Sequence, residues 1–296
     1  MKHSIVLLAL AGAVSLAQAE DTLKKIKDTG TITLGVRESS GLSYTIGDGK
    51  YVGYHIDVCE KIVSDVRKAL GLSGITTKYQ PVTSANRIPL TVNGTVDLEC
   101  GSTTNNATRQ KDVAFAVTTY VEEVRIAVKA NSGINSIKDL ANKTVATTTG
   151  TTSVQTLRKH ERSTGVDFKE VFGKDHADSF LLLESGRADA FVMDGSILAK
   201  NIATSKSPKD YKIVGEVLSV EPIAIMMRKD DPAFKKVVDN SIKEQIRLGD
   251  LAKLYDKWFL KPIPPAGAVI GMPLNEATKA AWANPNDKPM EDYAKK

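Results

Sequence analysis

The chain is predicted to fold as α/β, in two lobes, and three observations carry that prediction. Strand-like and helix-like segments alternate along most of the sequence. A second strand and helix series, beginning near Val124, repeats the first in outline. The 296 residues also suffice for two domains of ordinary size. A short echo supports the repeat: Asn93-Gly94-Thr95-Val96-Asp97 and Ser185-Gly186-Arg187-Ala188-Asp189 each close a helix and open a strand with Gly-x-small-Asp.

The first element is not part of that fold. Met1-Lys2-His3 is basic, Ile5 to Leu16 is apolar, and Ala17-Gln18-Ala19 has the small-x-small pattern of a cleavage site, so residues 1–19 are expected to be a secretory signal peptide. The apolar run is shorter than the roughly 20 residues a membrane span needs, and charges interrupt every later apolar segment. The mature chain is expected to start at Glu20. No cysteine adjoins the cleavage site to accept a lipid, so a free periplasmic protein of a Gram-negative cell is expected.

Thr31 to Val36 alternates polar and apolar residues as a strand and ends directly in Arg37-Glu38-Ser39-Ser40. Asp48-Gly49 between short apolar segments predicts a hairpin. From Ile56 to Leu70 apolar residues recur at helical spacing, and Gly71 stops the pattern. A strand over Ile75 to Val82, a short helix ending at Asn93-Gly94 and a strand over Val96 to Cys100 complete the first series. The second runs as a strand over Val124 to Val128, a helix over Ile137 to Asn142 and a strand over Thr144 to Thr147. A helix from Gly150-Thr151-Thr152-Ser153 to about Glu161, a helix over Ser179 to Ser185 and a strand over Ala188 to Met193 follow, with Asp194 before a further helix. Right-handed crossovers should place helices on both faces of the sheets. The tail holds a helix with Pro232 in its first turn, another through Leu251 to Phe259, and Pro262, Pro264 and Pro265 beyond; it is expected to wrap onto the first lobe.

Composition narrows the function. The net charge of +5 comes without a clustered basic stripe, which argues against nucleic-acid binding and suits a small anionic ligand. Cys59 and Cys100 are either a disulfide, which export permits, or two buried thiols. There is no Gly-x-Ser-x-Gly elbow and no His-Glu-x-x-His helix, and the four histidines are scattered, so neither hydrolytic catalysis nor a metal cluster is expected, and no cofactor.

Ligands in open α/β sheets sit beyond the carboxyl ends of strands. The residues there are Arg37; Ser84 and Arg87; Ser102, Thr103 and Thr104; Thr149 to Ser153; and Asp194. Together they offer guanidinium groups, hydroxyls, helix-start amides and one carboxylate, which is what an amino acid with an acidic side chain requires. Each has a plainer reading: Ser84, Thr151 and Thr152 as helix caps, Arg37, Arg87 and Arg109 as solvated surface residues, Asp194 as a cap, and His176 as a surface loop residue.

The runs Gly35-Val36-Arg37-Glu38-Ser39-Ser40, Thr83-Ser84-Ala85-Asn86-Arg87-Ile88-Pro89-Leu90 and Glu99-Cys100-Gly101-Ser102-Thr103-Thr104-Asn105-Asn106 resemble the periplasmic glutamate/aspartate-binding proteins of polar amino acid ABC importers, the family 3 solute-binding proteins. Arg109-Gln110-Lys111, Lys174-Asp175-His176, Asp178-Ser179-Phe180 and Lys257-Trp258-Phe259 continue the likeness over nearly all of the mature chain. The resemblance implies a two-lobed periplasmic binding protein-like fold of type II, with two crossover strands as hinge. Residues 20–119 and 223–296 would form lobe 1 and residues 120–222 lobe 2. It implies a monomer that captures L-glutamate or L-aspartate and hands it to inner-membrane ABC permease subunits. Carried onto matching positions, Asp194 and Ser102 would hold the α-ammonium, and Arg109, Thr104 and Thr152 the α-carboxylate. Arg37, Ser84, Arg87 and His176 would hold the side-chain carboxylate.

Two departures stand out. The usual Gly-aromatic-acidic helix start is Gly53-Tyr54-His55-Ile56-Asp57 here, and Gly41-Leu42-Ser43-Tyr44 replaces a segment that normally brings an aromatic ring to the ligand, so Leu42 or Tyr44 is expected to alter the side-chain size preference. The competing readings are an enzyme on the same scaffold, such as a cyclohexadienyl dehydratase, and a partner of a membrane-bound sensor.

Overall fold

The computed structural model describes residues 21–293; the expected signal peptide lies outside them. In chain order the first part contains α1 (Thr22–Thr29), β1 (Thr31–Val36), β2 (Tyr44–Gly47), β3 (Lys50–Val52), α2 (Tyr54–Ala69), β4 (Thr76–Pro81), α3 (Arg87–Val92), β5 (Leu98–Glu99) and β6 (Val113–Phe115). Then come β7 (Tyr120–Lys129), β8 (Thr144–Thr148), α4 (Thr152–Thr164), β9 (Lys169–Gly173), α5 (His176–Glu184), β10 (Ala190–Asp194), α6 (Gly195–Ala203) and β11 (Tyr211–Ile223). The chain ends with β12 (Met226–Arg228), α7 (Pro232–Arg247), α8 (Asp250–Tyr255), α9 (Glu276–Ala283) and α10 (Met290–Tyr293).

These strands form two five-stranded sheets, ordered β4-β1-β5-β12-β6 and β11-β7-β10-β8-β9, and β2 and β3 form a separate hairpin. Within the sheets β1 runs parallel to β4 and β5, and β8 parallel to β9 and β10. The antiparallel members are the strands around the lobe exchange: β7 and β11 pair with each other, and β12 pairs with β5 and β6. The chain leaves the first lobe through β7 and returns through β11, and the two run side by side at the crossing, Tyr120 opposite Ile223 and Glu122 opposite Glu221.

Helical spacing in α2 buries Ile56, Cys59, Ile62, Val63 and Val66. They join Ile32, Leu34 and Val36 of β1 and Phe234, Val238 and Ile242 of α7 in one continuous core. The second lobe has a core on each face of its sheet. Val124, Ile126 and Val128 of β7 join one, and Ala127 joins the other, as the two-residue period of a strand dictates. Beyond α8 a π-helical turn over Asp256–Leu260 stacks Phe259 on Tyr255 with ring centroids 4.2 Å apart and on Tyr120 at 5.7 Å. The tail packs on the first core through Ile270, Met272, Leu274 and Trp282. It also fastens the crossover: Thr278 Oγ1 accepts from the Val121 amide at 3.0 Å, and Trp282 Nε1 donates to Thr119 O at 2.9 Å.

Several expectations are corrected. Ile137–Leu140 is a 3-10 turn with a Ser136 and Asp139 capping box, too short for a helix. The strand expected over Val96 to Cys100 pairs only at Leu98–Glu99. The sequence pattern does not show α1, β6, β9, β11, β12, α9 or α10. Polar residues interrupt the apolar pattern of β9, and Glu216, Ser219 and Glu221 do the same in β11. Of the two readings open for Cys59 and Cys100, the disulfide is the one found, with Cα atoms 6.3 Å apart.

Candidate functional site

The carboxyl ends of β1, β4 and β5 in one lobe face those of β8 and β10, with the start of α4, in the other. Arg37 directly follows β1, and Asp194 is the last residue of β10. Ser84, Arg87, Ser102, Thr104, Thr152, His176 and Asp194 line one small, closed-down cavity, together with Thr151 and Met193. Arg37 and Arg109 stand immediately behind this lining, so all nine sequence-predicted residues meet in one place. All nine are buried.

His176 is not a surface loop residue. It is the first residue of α5, capped by Asp175, and it is buried. Its Nδ1 pairs with Thr148 Oγ1 at 3.0 Å and its Nε2 with Arg37 Nη2 at 3.0 Å. An arginine can only donate, so Nε2 accepts and the ring is neutral with its proton on Nδ1. Burial, and then the charge of Arg37, pulls the His176 pKa well below its ordinary value against the opposing pull of Asp175. Arg37 Nη2 also donates to Ser84 Oγ at 3.1 Å and reaches Asp175 Oδ2 at 3.5 Å. Asp175 in turn accepts from Ser39 of the facing lobe.

At the opposite end the cations meet backbone oxygens. Arg109 Nη1 donates to Thr104 O at 2.8 Å and Nη2 to Gly150 O at 3.5 Å, across the lobes. Arg87 Nη1 donates to Ser102 O at 3.3 Å. Burial, and then repulsion from Arg109, lowers the Arg87 pKa well below the usual arginine value, with Glu99 opposing. Burial raises the Asp194 carboxyl well above its ordinary value, and Glu122 and Glu221 add to the rise while Arg87 and Arg109 resist it.

Among the described residues, Arg37 Nε and Nη1, Arg87 Nε, Ser102 Oγ and Asp194 Oδ1 are buried without a protein hydrogen-bond partner. A buried unpaired polar atom costs about 1–3 kcal/mol, more when charged. Other such atoms lie on Asp97, Glu99, Arg125, Thr147, His160 and Glu170, but those on Arg37, Arg87, Ser102 and Asp194 come together at one place and offer a ligand two cationic donors, one hydroxyl and one carboxylate oxygen.

Close backbone approach sets the lobe spacing. Gly150, at φ +80°, would place a Cβ 2.9 Å from Ala85 Cα in the facing lobe, and Gly41 would place one 2.7 Å from the Ser196 carbonyl. Any side chain at either position would hold the lobes apart. Leu42 and Tyr44 do not line the cavity, contrary to expectation. Leu42 is in the first core, and Tyr44 packs edge-on against Trp258 while its hydroxyl donates to Pro264 O at 2.9 Å.

Sequence reasoning missed the buried carboxylates Glu99 and Glu221, whose charges act on Arg109, and Glu122, which accepts from Ser196 and acts on Asp194, as well as His55, which links Gly101 O to Thr119 Oγ1. The Gly-Tyr-His departure at the start of α2 was the one signal for His55. Glu221 lay in a strand the pattern did not show.

The model of the bacterial extracellular solute-binding proteins, family 3, matches residues 32–261. The chain belongs to that family. It is 44% identical to an L-glutamate/L-aspartate-binding protein of Pseudomonas aeruginosa, over 98% of this chain and 97% of that one. It is 43% identical to a glutamate/aspartate import solute-binding protein of Escherichia coli, over 98% of each. Among solved structures, an ancestral amino acid-binding protein described as a precursor of cyclohexadienyl dehydratase is similar at TM-score 0.70 and 27% identity, over 80% of this chain and 99% of that one. As a family 3 solute-binding protein the chain has the two-lobed type II architecture, and its curated relatives are binding proteins of importers.

Proposed function

We propose that this family 3 solute-binding protein captures L-glutamate or L-aspartate in the interlobe cavity and delivers it, as a periplasmic monomer, to inner-membrane ABC permease subunits. The unpartnered Arg37, Arg87, Ser102 and Asp194 atoms carry this reading, because an acidic amino acid supplies the missing partners: two carboxylates and an ammonium. Asp194 and Ser102 take the α-ammonium; Arg109 and the backbone amides of Thr104 and Thr152 take the α-carboxylate. Arg37, Ser84 and Arg87 take the side-chain carboxylate, with His176 holding Arg37 in position. The names of the Pseudomonas and Escherichia relatives support the ligand class.

Binding requires no covalent step. Residues 21–119 with 223–293 move as one body and 120–222 as the other, turning about β7 and β11. Ligand contacts made from both lobes favour the closed form by their differential affinity for the two states. Since neither Leu42 nor Tyr44 reaches the cavity, the choice between glutamate and aspartate rests on the Arg37, Ser84 and Arg87 end.

The test is a set of thermal melts of refolded, ligand-stripped protein against the twenty amino acids and prephenate. A ligand at about 1,000 times its dissociation constant stabilises the folded state by about 4 kcal/mol. Shifts confined to glutamate and aspartate support the proposal. Shifts with neutral or basic amino acids would overturn the ligand class, and a response to prephenate alone would favour the dehydratase reading.

A further inference from the structure

Glu221 lies on β11 where the chain returns to the first lobe, and it is fully buried. Its Oε2 accepts from Thr104 Oγ1 at 2.6 Å and from Thr152 Oγ1 at 2.7 Å, and those two hydroxyls are 3.4 Å apart. Its Oε1 accepts from Ser219 Oγ at 2.6 Å. Thr104 belongs to the loop after β5 in the first lobe, and Thr152 opens α4 in the second. One carboxylate on a crossover strand therefore fastens one residue from each lobe. The hydroxyl protons of both threonines are committed to it, so neither hydroxyl can donate to a ligand carboxylate. Glu221 also attracts the buried Arg109 guanidinium, the cation at the same end of the cavity.

We propose that Glu221 is a positioning residue for α-carboxylate recognition: it fixes Thr104 and Thr152 from opposite lobes around that group and ties the grip on it to lobe closure. The proposal rests on the acidic amino acid reading above. Glu221 touches no ligand in this scheme. Its charge selects for a frame in which both threonines turn their hydroxyls inward and present backbone to the cavity. A glutamine there can keep one oxygen for both threonines by turning its amide nitrogen to Ser219 Oγ, so E221Q removes the charge that strengthens these bonds and draws Arg109.

The test compares glutamate, its α-carboxamide isoglutamine, and glutamine by titration calorimetry on the parent and on E221Q, with ligand-free melts to establish folding. The expected result is a loss of about 10- to 100-fold in glutamate affinity, the scale of a charged hydrogen bond, with isoglutamine changed by less than about threefold. Discrimination between glutamate and isoglutamine narrows accordingly, while discrimination between glutamate and glutamine, set at the Arg37 end, is retained. Equal losses for all three ligands would show a merely structural role and overturn the proposal, as would parental affinities throughout. A parent that binds no acidic amino acid overturns the functional reading and the Glu221 role together. Where E221Q does not fold, T104V and T152V carry the test. Each should narrow the glutamate to isoglutamine ratio by at least about threefold, and an unchanged ratio in both overturns the role.

Discussion

The two lobes bring opposite chemistry to the cleft. The first supplies Arg37, Arg87 and Arg109, all buried; the second supplies Asp194, the neutral His176 and the start of α4. The first is also the more heavily braced. A single core runs from β1 through α2 to α7 and the aromatic tail, a disulfide ties α2 to the end of β5, and His55 joins the adjoining Gly101 to the crossover. The second lobe has two smaller cores and no cross-link. Three buried cations repel one another and need a rigid frame. In this arrangement an anionic ligand is met first by the braced, cationic lobe, and the acidic lobe closes over its ammonium.

The largest effects should come from removing a first-lobe cation. Arg87→Ala should cost about 2–5 kcal/mol of glutamate binding, because the ligand's carboxylate is left desolvated and unpaired. Thr152→Val in the second lobe, which removes one hydrogen bond to Glu221 and no ligand charge, should cost about 1 kcal/mol. Calorimetry on both variants breaks the comparison if the losses are equal or reversed.

The bracing can be tested without ligand. Replacing Cys59 and Cys100 by alanine releases a loop with a sequence separation of 41 residues, and the chain-entropy account assigns such a closure about 4 kcal/mol. Denaturant unfolding of the ligand-free variant should show that loss. A loss below about 1 kcal/mol would mean the core alone holds α2 against β5.

His55 gives the same bracing a pH dependence. Burial pulls its pKa down to about 4, against a hydrogen bond to Gly101 O that opposes the shift. The unfolded chain takes up the proton near 6.5 and the folded chain only near 4, so the stabilisation is complete above pH 6.5 and falls away as the pH drops through that window. The span corresponds to about 3 kcal/mol. Burial raises Glu122 to about 7, and this group acts in the opposite sense, stabilising at low pH and losing its contribution as the pH rises. The two overlap, so the informative quantity is the difference between parent and His55→Asn. That difference should shift in the variant's favour by about 3 kcal/mol between pH 7 and pH 4, and a pH-independent difference would show that His55 is not neutral and buried in solution.

The split between the lobes was partly legible in the sequence. Residues that follow strands in an α/β fold face the ligand whatever the details, so Arg37, Ser84, Arg87, Ser102 and Asp194 could be gathered before any coordinates. What stood behind them could not. Glu99 is in a two-residue strand, Glu122 sits beside Glu123 ahead of the apolar run of β7, and Glu221 is in a polar strand, so each has the appearance of a solvated acidic residue. His176 looked like a loop residue because its Lys-Asp-His context is polar, and only the fold shows Asp175 capping the helix that carries it inward. β11 was missed because its alternation is broken by Gly215, at φ +75°, and by a register shift between Val214 and Ser219. The same strand carries Glu221, so the missed element and the missed polar hub have one cause.

The smallest predicted effect concerns a contact from the second lobe onto the first. Lys200 of α6 holds its Nζ 4.7 Å from the centroid of the Tyr44 ring, and burial lowers its pKa while Asp175 opposes the shift. A partly buried cation over an aromatic ring contributes about 0.5–2 kcal/mol. This contact exists only when the lobes are together, so it stabilises the closed form and not the encounter. Lys200→Met keeps the length and apolar stem and removes the charge. It should weaken glutamate binding by about two- to tenfold, as a faster dissociation rate with little change in association. If the loss instead appeared in the association rate and faded with added salt, Lys200 would be an attractor of anions. The second lobe would then share the cationic role assigned here to the first.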